Sequence, residues 1–474
     1  MIELKHSSTI IHNYKRGDSV KLEKILSVWD EGIHNYKWFF YIIDEEENKM
    51  IIPRGFKVSY LKYLFPNKKI IINTESNKSK KAIMKLTTEP RTKLQEEAID
   101  FLLERNKSKH LIGVSQKFLC LATGDGKTYC AINYIIQRKQ RSMVILDKDE
   151  IMSQWERAFL KFSNLDKKEL YYISGSDTIK KIMKNKIDLN YKVFIASHRT
   201  LASYAKDDWN KLDKFFKKIQ IGIKIYDEAH IEFKNIFMID SYSNVKETIY
   251  LTATPGRSNK SEDKVYNDCF QEVPKFGLNN RTDERYHNIY YISYNSTPDL
   301  KELGNSKNKY GFDINYFADY TFEDNFNKIY PIINKLIKMT KNKKGKTAII
   351  IQKLEHVKKL NDYLKKDYPD IDLGLFCSLV KDKKSQLNKK IILSTFKSME
   401  KAVDINMLRF LIMTVPISSS IMTEQVLGRL RKLPELDSYY FDLTDEGFPS
   451  CRNQRYIRRD VLDKRAKSIK ILKL

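Results

Sequence analysis

Residues 121–130 read LATGDGKTYC, and this stretch decides how the chain can fold. Gly-Lys-Thr at 126–128 is the ending of a phosphate-binding loop, although the first glycine of the usual Gly-x-x-x-x-Gly-Lys-Ser/Thr pattern would fall at Leu121. The apolar run 116–122 predicts a buried parallel strand, and 127–138 carries apolar residues at helical spacing. A loop between strand and helix presents backbone N–H groups that favour an anion. The stretch therefore predicts a nucleotide site; a helix that merely begins with Gly-Lys-Thr is the alternative.

The residues of this loop have predicted parts in binding ATP and Mg²⁺. Gly124 and Gly126 lack the Cβ atoms that would block the close approach of a phosphate. Lys127 would reach the β- and γ-phosphates, and the Thr128 hydroxyl would ligate Mg²⁺. The predicted phosphate loop consists of Ala122, Thr123, Gly124, Asp125, Gly126, Lys127 and Thr128.

The charge of the chain predicts a polyanionic partner. Eighty-six Lys and Arg residues face sixty Asp and Glu residues among 474, for a formal net charge of +26. Nucleic acid, bound mainly through its phosphates, is the favoured partner. The alternative is that part of the lysine excess is solvated surface, because Lys, Asn and Ile are abundant throughout the chain.

The sequence gives no sign of a membrane or a secreted protein. No apolar stretch approaches a membrane span, and the N-terminus MIELKHSSTI does not read as a signal peptide. Five scattered cysteines without a Cys-x-x-Cys pair argue against a zinc site and a disulfide framework. We expect a cytoplasmic protein without membrane contacts; if it is viral, the host cytoplasm is expected, with association with the virion as a further option.

Three regions follow one another along the chain. Residues 1–89 contain β-like runs around the acidic turn DEEEN and predict a β-rich accessory domain. Strand-like and helical runs then alternate, which predicts a parallel sheet covered by helices. A polar stretch, 258–280, interrupts this alternation, which resumes after it. The predicted α/β fold has its domains at 1–89, 90–280 and 281–474.

Two adjacent carboxylates follow an apolar strand in IGIKIYDEAH, residues 221–230. Phosphoryl transfer to water needs one carboxylate that holds Mg²⁺ and one that orients or deprotonates the attacking water. Asp227 suits the first role and Glu228 the second. A surface turn is the alternative, but the phosphate loop earlier in the chain favours a catalytic pair.

From Glu89 to the C-terminus the sequence resembles the superfamily 2 helicases and translocases. LATGDGKT is similar to motif I of that family, in which the first glycine is commonly absent, and DEAH is similar to motif II. Gln95 is similar to the family's adenine-contacting glutamine. The remaining similar segments are Ser153-Gln154-Trp155 after motif Ia, Thr252-Ala253-Thr254 for motif III, Ser394-Thr395-Phe396 with Asp404 for motif V, and QVLGR at 425–429 for motif VI.

A subgroup of the family is also indicated. IPRGF at 52–56, near the end of the β-rich region, occurs together with YLTATPGR at 250–257 and EQVLGRLR at 424–431. This combination resembles the phage recombination-type helicases and the poxvirus transcript-release helicase.

The resemblance implies two tandem RecA-like lobes with ATP in the cleft between them. It implies Lys127 and Glu228 as catalytic residues with Arg429 as the arginine finger. The final position of motif VI, usually arginine, is Lys432, while Arg431 comes one residue early. On a continuing helix Lys432 would share the face of Arg429, so we predict Lys432 rather than Arg431 as the second cation. The implied coupling residues are His230, Thr252, Thr254, Asp404 and Gln425.

The function that the resemblance implies is that of an ATP-dependent helicase or translocase on nucleic acid, with DNA favoured over RNA. Replication, recombination or transcription machinery would be its setting. Two alternatives stay open at this point: a nucleic-acid-binding scaffold with weak ATPase activity, and a transcript-release translocase that does not separate strands.

Overall fold

The structure of the chain is a computed structural model. It describes residues 1–30, 36–104, 115–122, 124–147, 151–253, 256, 260–277, 285–308, 311–400, 405–433 and 435–474. The chain divides into two compact units, Met1–Arg281 and Thr282–Leu474. In the part of the chain described, no helix has both the length and the apolar character needed to cross a membrane.

The first unit begins with a small, mainly antiparallel sheet. Its described strands lie in the order β5-β6-β2-β1-β7, and β3 and β4 form a separate two-stranded pair. Only β1 and β7 run parallel within the small sheet as described. The elements are β1 Ile2–Leu4, β2 Ser8–His12, α1 Arg16–Glu23, β3 Ser27–Asp30, β4 Tyr36–Phe39, β5 Ile42–Asp44, β6 Lys49–Pro53, α2 Val58–Leu64 and β7 Ile70–Ile72.

A parallel sheet with helices follows in the same unit. Its described strands lie in the order β10-β11-β9-β12-β13-β8-β14, all parallel. The elements are α3 Lys93–Leu103, β8 Gln116–Cys120, α4 Lys127–Arg138, β9 Ser142–Leu146, α5 Met152–Phe162, β10 Leu170–Ile173, α6 Ser176–Met183, β11 Val193–Ser197, α7 His198–Ala205, α8 Asn210–Ile219, β12 Ile223–Tyr226, α9 Phe233–Ser241, β13 Glu247–Thr252, α10 Lys260–Cys269 and β14 Lys275–Phe276.

The second unit contains another parallel sheet, whose described strands lie in the order β19-β20-β18-β21-β22-β15-β23. The elements are β15 His287–Tyr294, α11 Leu300–Asn305, β16 Lys307–Asn308, β17 Gly311–Phe312, α12 Ile314–Asp319, α13 Phe326–Thr340, β18 Lys346–Ile351, α14 Leu354–Asp367, β19 Leu373–Phe376, α15 Lys383–Gln386, β20 Ile391–Thr395, α16 Phe396–Glu400, β21 Leu408–Met413, α17 Ser420–Leu427, β22 Ser438–Asp445, α18 Pro449–Arg465 and β23 Ala466–Lys473.

The central strands are buried along their length because helices cover both faces of each sheet. Every residue of β8 and β9 is buried, as is every residue of β18 after Lys346. Such unbroken burial is typical of parallel sheets, whereas a half-exposed strand alternates apolar and polar residues. The prediction of two tandem RecA-like parallel-sheet lobes with a small β-rich N-terminal region is confirmed.

The N-terminal elements share a hydrophobic core with the first parallel sheet. Phe40, which follows β4, stacks on Phe233 of α9 with the ring centroids 4.3 Å apart. A Cβ atom on Gly55 would lie 2.7 Å from the carbonyl oxygen of Cys269 in α10, so glycine permits this close approach. The predicted domain boundaries at 89 and 280 stay predictions.

The expectation for the polar stretch is wrong, and the basic stretch near the C-terminus contains a buried arginine. The polar stretch 258–280 does not interrupt the alternation, because it contains α10 and β14, and β14 pairs with β8. The basic run near the C-terminus forms α18, and Arg458 of this helix is fully buried. Its guanidinium donates to both carboxylate oxygens of Asp442, at 2.9 and 3.0 Å, so this arginine stabilises the second unit from within.

Candidate nucleotide site

The phosphate loop, the carboxylate pair and Thr252 follow three neighbouring strands of the first parallel sheet. The loop follows β8, Asp227 follows β12, and Thr252 is the last residue of β13. Cys120 at the end of β8 is paired with Thr252. Because β12, β13 and β8 are parallel neighbours, their carboxyl ends meet at one edge, where ligands bind in open α/β sheets.

The glycines of the phosphate loop are required by its backbone. Gly124 and Gly126 have φ angles of +99° and +94°, a backbone conformation that residues with a Cβ atom rarely adopt. A Cβ atom on Gly126 would also lie 2.3 Å from Nε2 of Gln95. That Nε2 donates to the carbonyl of Asp125 at 3.0 Å, and Oε1 of Gln95 accepts from the backbone N–H of Arg91 at 2.9 Å. Gln95 therefore holds the loop in place; its part in contacting adenine stays a prediction.

Lys127 and Thr128 occupy the first turn of α4, where the backbone N–H groups have no partner within the helix. The ammonium of Lys127 donates to the carbonyl oxygen of Leu121 at 2.9 Å and lies 3.5 Å from that of Ala122. The cation is thus held over the loop by neutral acceptors. Phosphate oxygens are stronger acceptors for an ammonium than carbonyl oxygens are, so this arrangement fits a nucleotide polyphosphate.

Asp227 is positioned by two hydrogen bonds. Nε1 of Trp155 donates to its Oδ2 at 2.8 Å, and the backbone N–H of Glu228 donates to its Oδ1 at 3.0 Å. Burial and the neighbouring charge of Glu228 raise the pKa of Asp227 to about 6, while the hydrogen bond from Trp155 and the charge of Lys127 act in the opposite direction. The phosphate loop and the carboxylate pair lie at the same edge of the sheet, because β8 and β12 both end there.

Glu228 has an unusual backbone conformation and a buried carboxylate oxygen without a hydrogen-bond donor among the described residues. Its φ angle is +50°, the left-handed region, which a non-glycine residue seldom adopts outside functional sites and turns. Oε2 is buried and accepts no hydrogen bond within the described residues; it lies 3.4 Å from Nδ1 of His230. A carboxylate oxygen that keeps its acceptor capacity suits the acceptance of a proton from water.

His230 joins the end of β12 to the end of β13. Its Nδ1 lies 2.9 Å from Oγ1 of Thr252, and the ring is buried. The backbone N–H of Ala229 donates to the carbonyl of Leu251 at 2.9 Å, which fixes the same turn against β13. The sequence segments DEAH and Thr-Ala-Thr are therefore in direct contact, and the coupling roles of His230 and Thr252 stay predictions.

The donor set of this site fits Mg²⁺ and the polyphosphate of a nucleotide. Thr128 and Asp227 offer the hydroxyl and carboxylate oxygens that Mg²⁺ prefers. The open oxygen of Glu228 and the ammonium of Lys127 are buried or half-buried at the same edge of the sheet. No cysteine or histidine pair competes for a softer metal among these residues.

Motif VI lies in the second unit, where the helix ends earlier than expected. Helix α17 ends at Leu427, and Arg429 follows in a turn, with its backbone N–H donating to the carbonyl of Val426 at 3.0 Å. The backbone N–H of Arg431 donates to the carbonyl of Arg429 at 3.1 Å. The expectation that the helix continues to residue 432 is therefore wrong, and helical spacing no longer favours Lys432 over Arg431. The side chains of Arg431 and Lys432 are exposed, and that of Arg429 is half-buried.

The structure says less about four other residues that the sequence assigns to the site. Thr123, Thr254 and Asp404 lie outside the described residues. Gln425 lies half-buried in α17, two residues before that helix ends. The sequence predicts no role for Trp155, although the Ser-Gln-Trp segment resembles the one that follows motif Ia in the family. The indole N–H, a donor without acceptor capacity, was the available signal for a carboxylate partner.

Trp155→Phe is expected to raise the Mg²⁺ concentration for half-maximal ATP hydrolysis roughly tenfold, because Asp227 loses the donor that orients it. Phenylalanine preserves much of the buried ring packing, so the melting temperature should change little. Mg²⁺ titrations of steady-state ATPase activity measure the effect. A half-maximal Mg²⁺ concentration equal to that of the wild type would show that Trp155 only fills space.

Comparison with known proteins agrees with this geometry. The family model "Type III restriction enzyme, res subunit" matches residues 88–257. The transcript termination protein A18 of fowlpox virus (strain NVSL) is 25% identical over 327 residues, 66% of each chain. Its namesake in Yaba-like disease virus is 25% identical over 357 residues, 69% of this chain and 66% of the relative. The matches thus span just under two thirds of these relatives' own length.

Structure comparison gives the same fold. A fragment of a putative HsdR subunit of a type I restriction enzyme from Vibrio vulnificus YJ016 covers 97% of this chain and 82% of its own, with a TM-score of 0.54 and 13% identity. This likeness shows the fold. Together with the helicase-like segments at the sheet edge and the poxvirus relatives, it confirms the resemblance of the chain to the superfamily 2 helicases that was drawn from sequence.

Proposed function

We propose that this protein is an ATP-dependent helicase or translocase that hydrolyses ATP at the edge of the first parallel sheet and moves on nucleic acid. The observation that carries this proposal is the carboxylate pair beside the phosphate loop. Trp155 orients Asp227, and Glu228 has a buried carboxylate oxygen that accepts no hydrogen bond within the described residues. A structural Asp-Glu turn would need neither feature.

The residues of the site divide the work of hydrolysis. Lys127 exchanges its carbonyl contacts for oxygens of the β- and γ-phosphates. Thr128 and Asp227 would hold Mg²⁺, which would supply neutralising charge during phosphoryl transfer. Glu228 orients the attacking water and accepts its proton. The resemblance assigns Arg429, from the second unit, to the charge that develops on the γ-phosphoryl oxygens.

The proposed partner is nucleic acid, with DNA favoured over RNA. The net charge of +26 supports binding through phosphates, which is largely indifferent to base sequence. A scaffold with weak ATPase activity is disfavoured, because a chain without catalysis has no need for the Trp155–Asp227 hydrogen bond or the left-handed backbone at Glu228.

A second candidate is a transcript-release translocase that does not separate strands. The observation that favours it is the name of the poxvirus relatives, transcript termination protein A18. In that case the site would work in the same way, and the moving protein would act on a transcription complex. The viral relatives also support a viral factor that acts in the host cytoplasm.

ATP hydrolysis is expected to rise at least tenfold when nucleic acid is added, since partner binding completes an active arrangement in such motors. Single-stranded DNA, duplex DNA, forked DNA and RNA are compared as stimulators at equal nucleotide concentration. Strand separation of the forked DNA, followed by fluorescence, distinguishes a helicase from a translocase without unwinding. An ATPase rate unchanged by all four nucleic acids would contradict the proposal.

A further inference from the structure

The outer face of α2 in the N-terminal region presents two aromatic rings to solvent. Tyr63 is 76% exposed and Tyr60 is 38% exposed. Their rings stack with the centroids 5.9 Å apart and the planes 21° apart. Lys57 and Lys62 are exposed beside them, and these four residues are called the α2 patch.

The α2 patch carries positive charge that no carboxylate of the described residues neutralises. Residues 48–74 contain neither Asp nor Glu. Within the described residues, Lys57 and Lys62 form no ion pair. The carboxylate that approaches the helix is Glu272, and its Oε1 is engaged by the backbone N–H of Val58 at 2.9 Å.

Hydrogen bonds and core packing fix the helix of the α2 patch to the rest of the first unit. Besides binding Val58, Glu272 donates its own backbone N–H to the carbonyl of Gly55 at 2.8 Å. On the inner side of the helix, Leu61 and Phe65 are buried in the core shared with the first parallel sheet. The exposed tyrosines therefore keep a fixed position relative to the nucleotide site of the same unit.

Another exposed aromatic residue provides a contrast. Trp29 of β3 is 59% exposed, and the ammonium of Lys37 lies 5.6 Å from its ring centroid. That ammonium is paired with the carboxylate of Glu23. Because the lysine is already neutralised, the surface at Trp29 offers a ring without the unpaired cations of the α2 patch.

We propose that the α2 patch is an auxiliary binding site for single-stranded nucleic acid. Bases stack on the rings of Tyr60 and Tyr63, and phosphates contact Lys57 and Lys62. Aromatic rings interleaved with cations are the common means of binding single strands without sequence preference, and a stacked base contributes roughly 5- to 150-fold in affinity. The inference rests on the proposed function in one respect, that the partner is nucleic acid.

The test is binding of a fluorescein-labelled thymidine oligonucleotide to the full chain, followed by fluorescence anisotropy. The double variant Tyr60→Ala, Tyr63→Ala is expected to bind roughly tenfold or more weakly. The double variant Tyr60→Phe, Tyr63→Phe should bind within about twofold of the wild type, because the ring and not the hydroxyl stacks. Circular dichroism melts check that both variants fold.

Two further variants locate the effect. The double variant Lys57→Gln, Lys62→Gln should make the negative slope of log affinity against log salt concentration less steep by about 1.4, or about 0.7 for each lost phosphate contact. Trp29→Ala, the matched control, should bind within about twofold of the wild type. An equal loss of affinity in Trp29→Ala would overturn the assignment to the α2 patch.

The outcomes separate this inference from the proposed function. If the wild type binds the oligonucleotide and the Tyr60→Ala, Tyr63→Ala variant binds it equally well, the inference fails and the proposed function stands. If that variant loses affinity for duplex DNA alone, the assignment to a single strand fails. If the wild type binds no nucleic acid and shows no stimulated ATPase activity, both fail.

Discussion

Replacing Lys127 with alanine is expected to lower kcat/KM for ATP by about 10²-fold or more, because the phosphate loop loses the cation that meets the β- and γ-phosphates. The ammonium lies over the loop in this structure, held by the carbonyl oxygens of Leu121 and Ala122. ATP binding, measured with a fluorescent ATP analogue, should weaken together with turnover.

Lys214→Ala provides the control for this change. Lys214 is exposed on α8 and belongs to the same unit, so the variant loses the same charge outside the phosphate loop. It should keep the wild-type rate. Equal activities of Lys127→Ala and the wild type would show that the Gly-Lys-Thr sequence begins a helix without binding a nucleotide.

Arg429→Ala is expected to lower nucleic-acid-stimulated ATP hydrolysis by about 10³–10⁵-fold while ATP binding changes only a few-fold. A guanidinium that meets the charge on the transferred phosphoryl group has effects of about this size in related systems. The turn after α17 separates Arg429 from the helix, and its side chain is half-buried. Stopped-flow measurement of phosphate release after mixing with ATP and DNA gives the rate.

The neighbouring cations serve as comparison for Arg429. Since α17 ends at Leu427, helical spacing gives no preference between Arg431 and Lys432. The more damaging of Arg431→Ala and Lys432→Ala identifies the second cation. If Arg429→Ala hydrolyses ATP at the wild-type rate while one of these two variants does not, the arginine finger is assigned to the wrong residue.

The strand, loop and helix of the phosphate site follow from local sequence. An apolar run, two glycines and a helix with apolar spacing made β8, the loop and α4 predictable, because each depends on residues that are near in sequence. The carboxylate pair after β12 was predictable for the same reason. The edge at which these segments meet follows from the parallel arrangement of their strands.

The parts that sequence did not predict depend on contacts between distant residues. The two-residue strand β14 is too short for a periodic pattern and forms because it pairs with β8. Trp155 and Asp227 are 72 positions apart, and their hydrogen bond follows only from the packing of α5 near the end of β12. The end of α17 was missed because no proline or positive-φ glycine marks it; Gly428 keeps a right-handed conformation.

The most direct test of the central claim is ATP binding and ATP turnover measured side by side in Glu228→Gln and the wild type. Glutamine preserves the shape of the side chain but cannot accept a proton, so we expect the variant to bind ATP with an affinity within a few-fold of the wild type. Turnover in the presence of DNA should fall by about 10²–10⁴-fold. Wild-type turnover in Glu228→Gln would contradict the claim that the edge of the first parallel sheet is an ATP-hydrolysing site with Glu228 as its base.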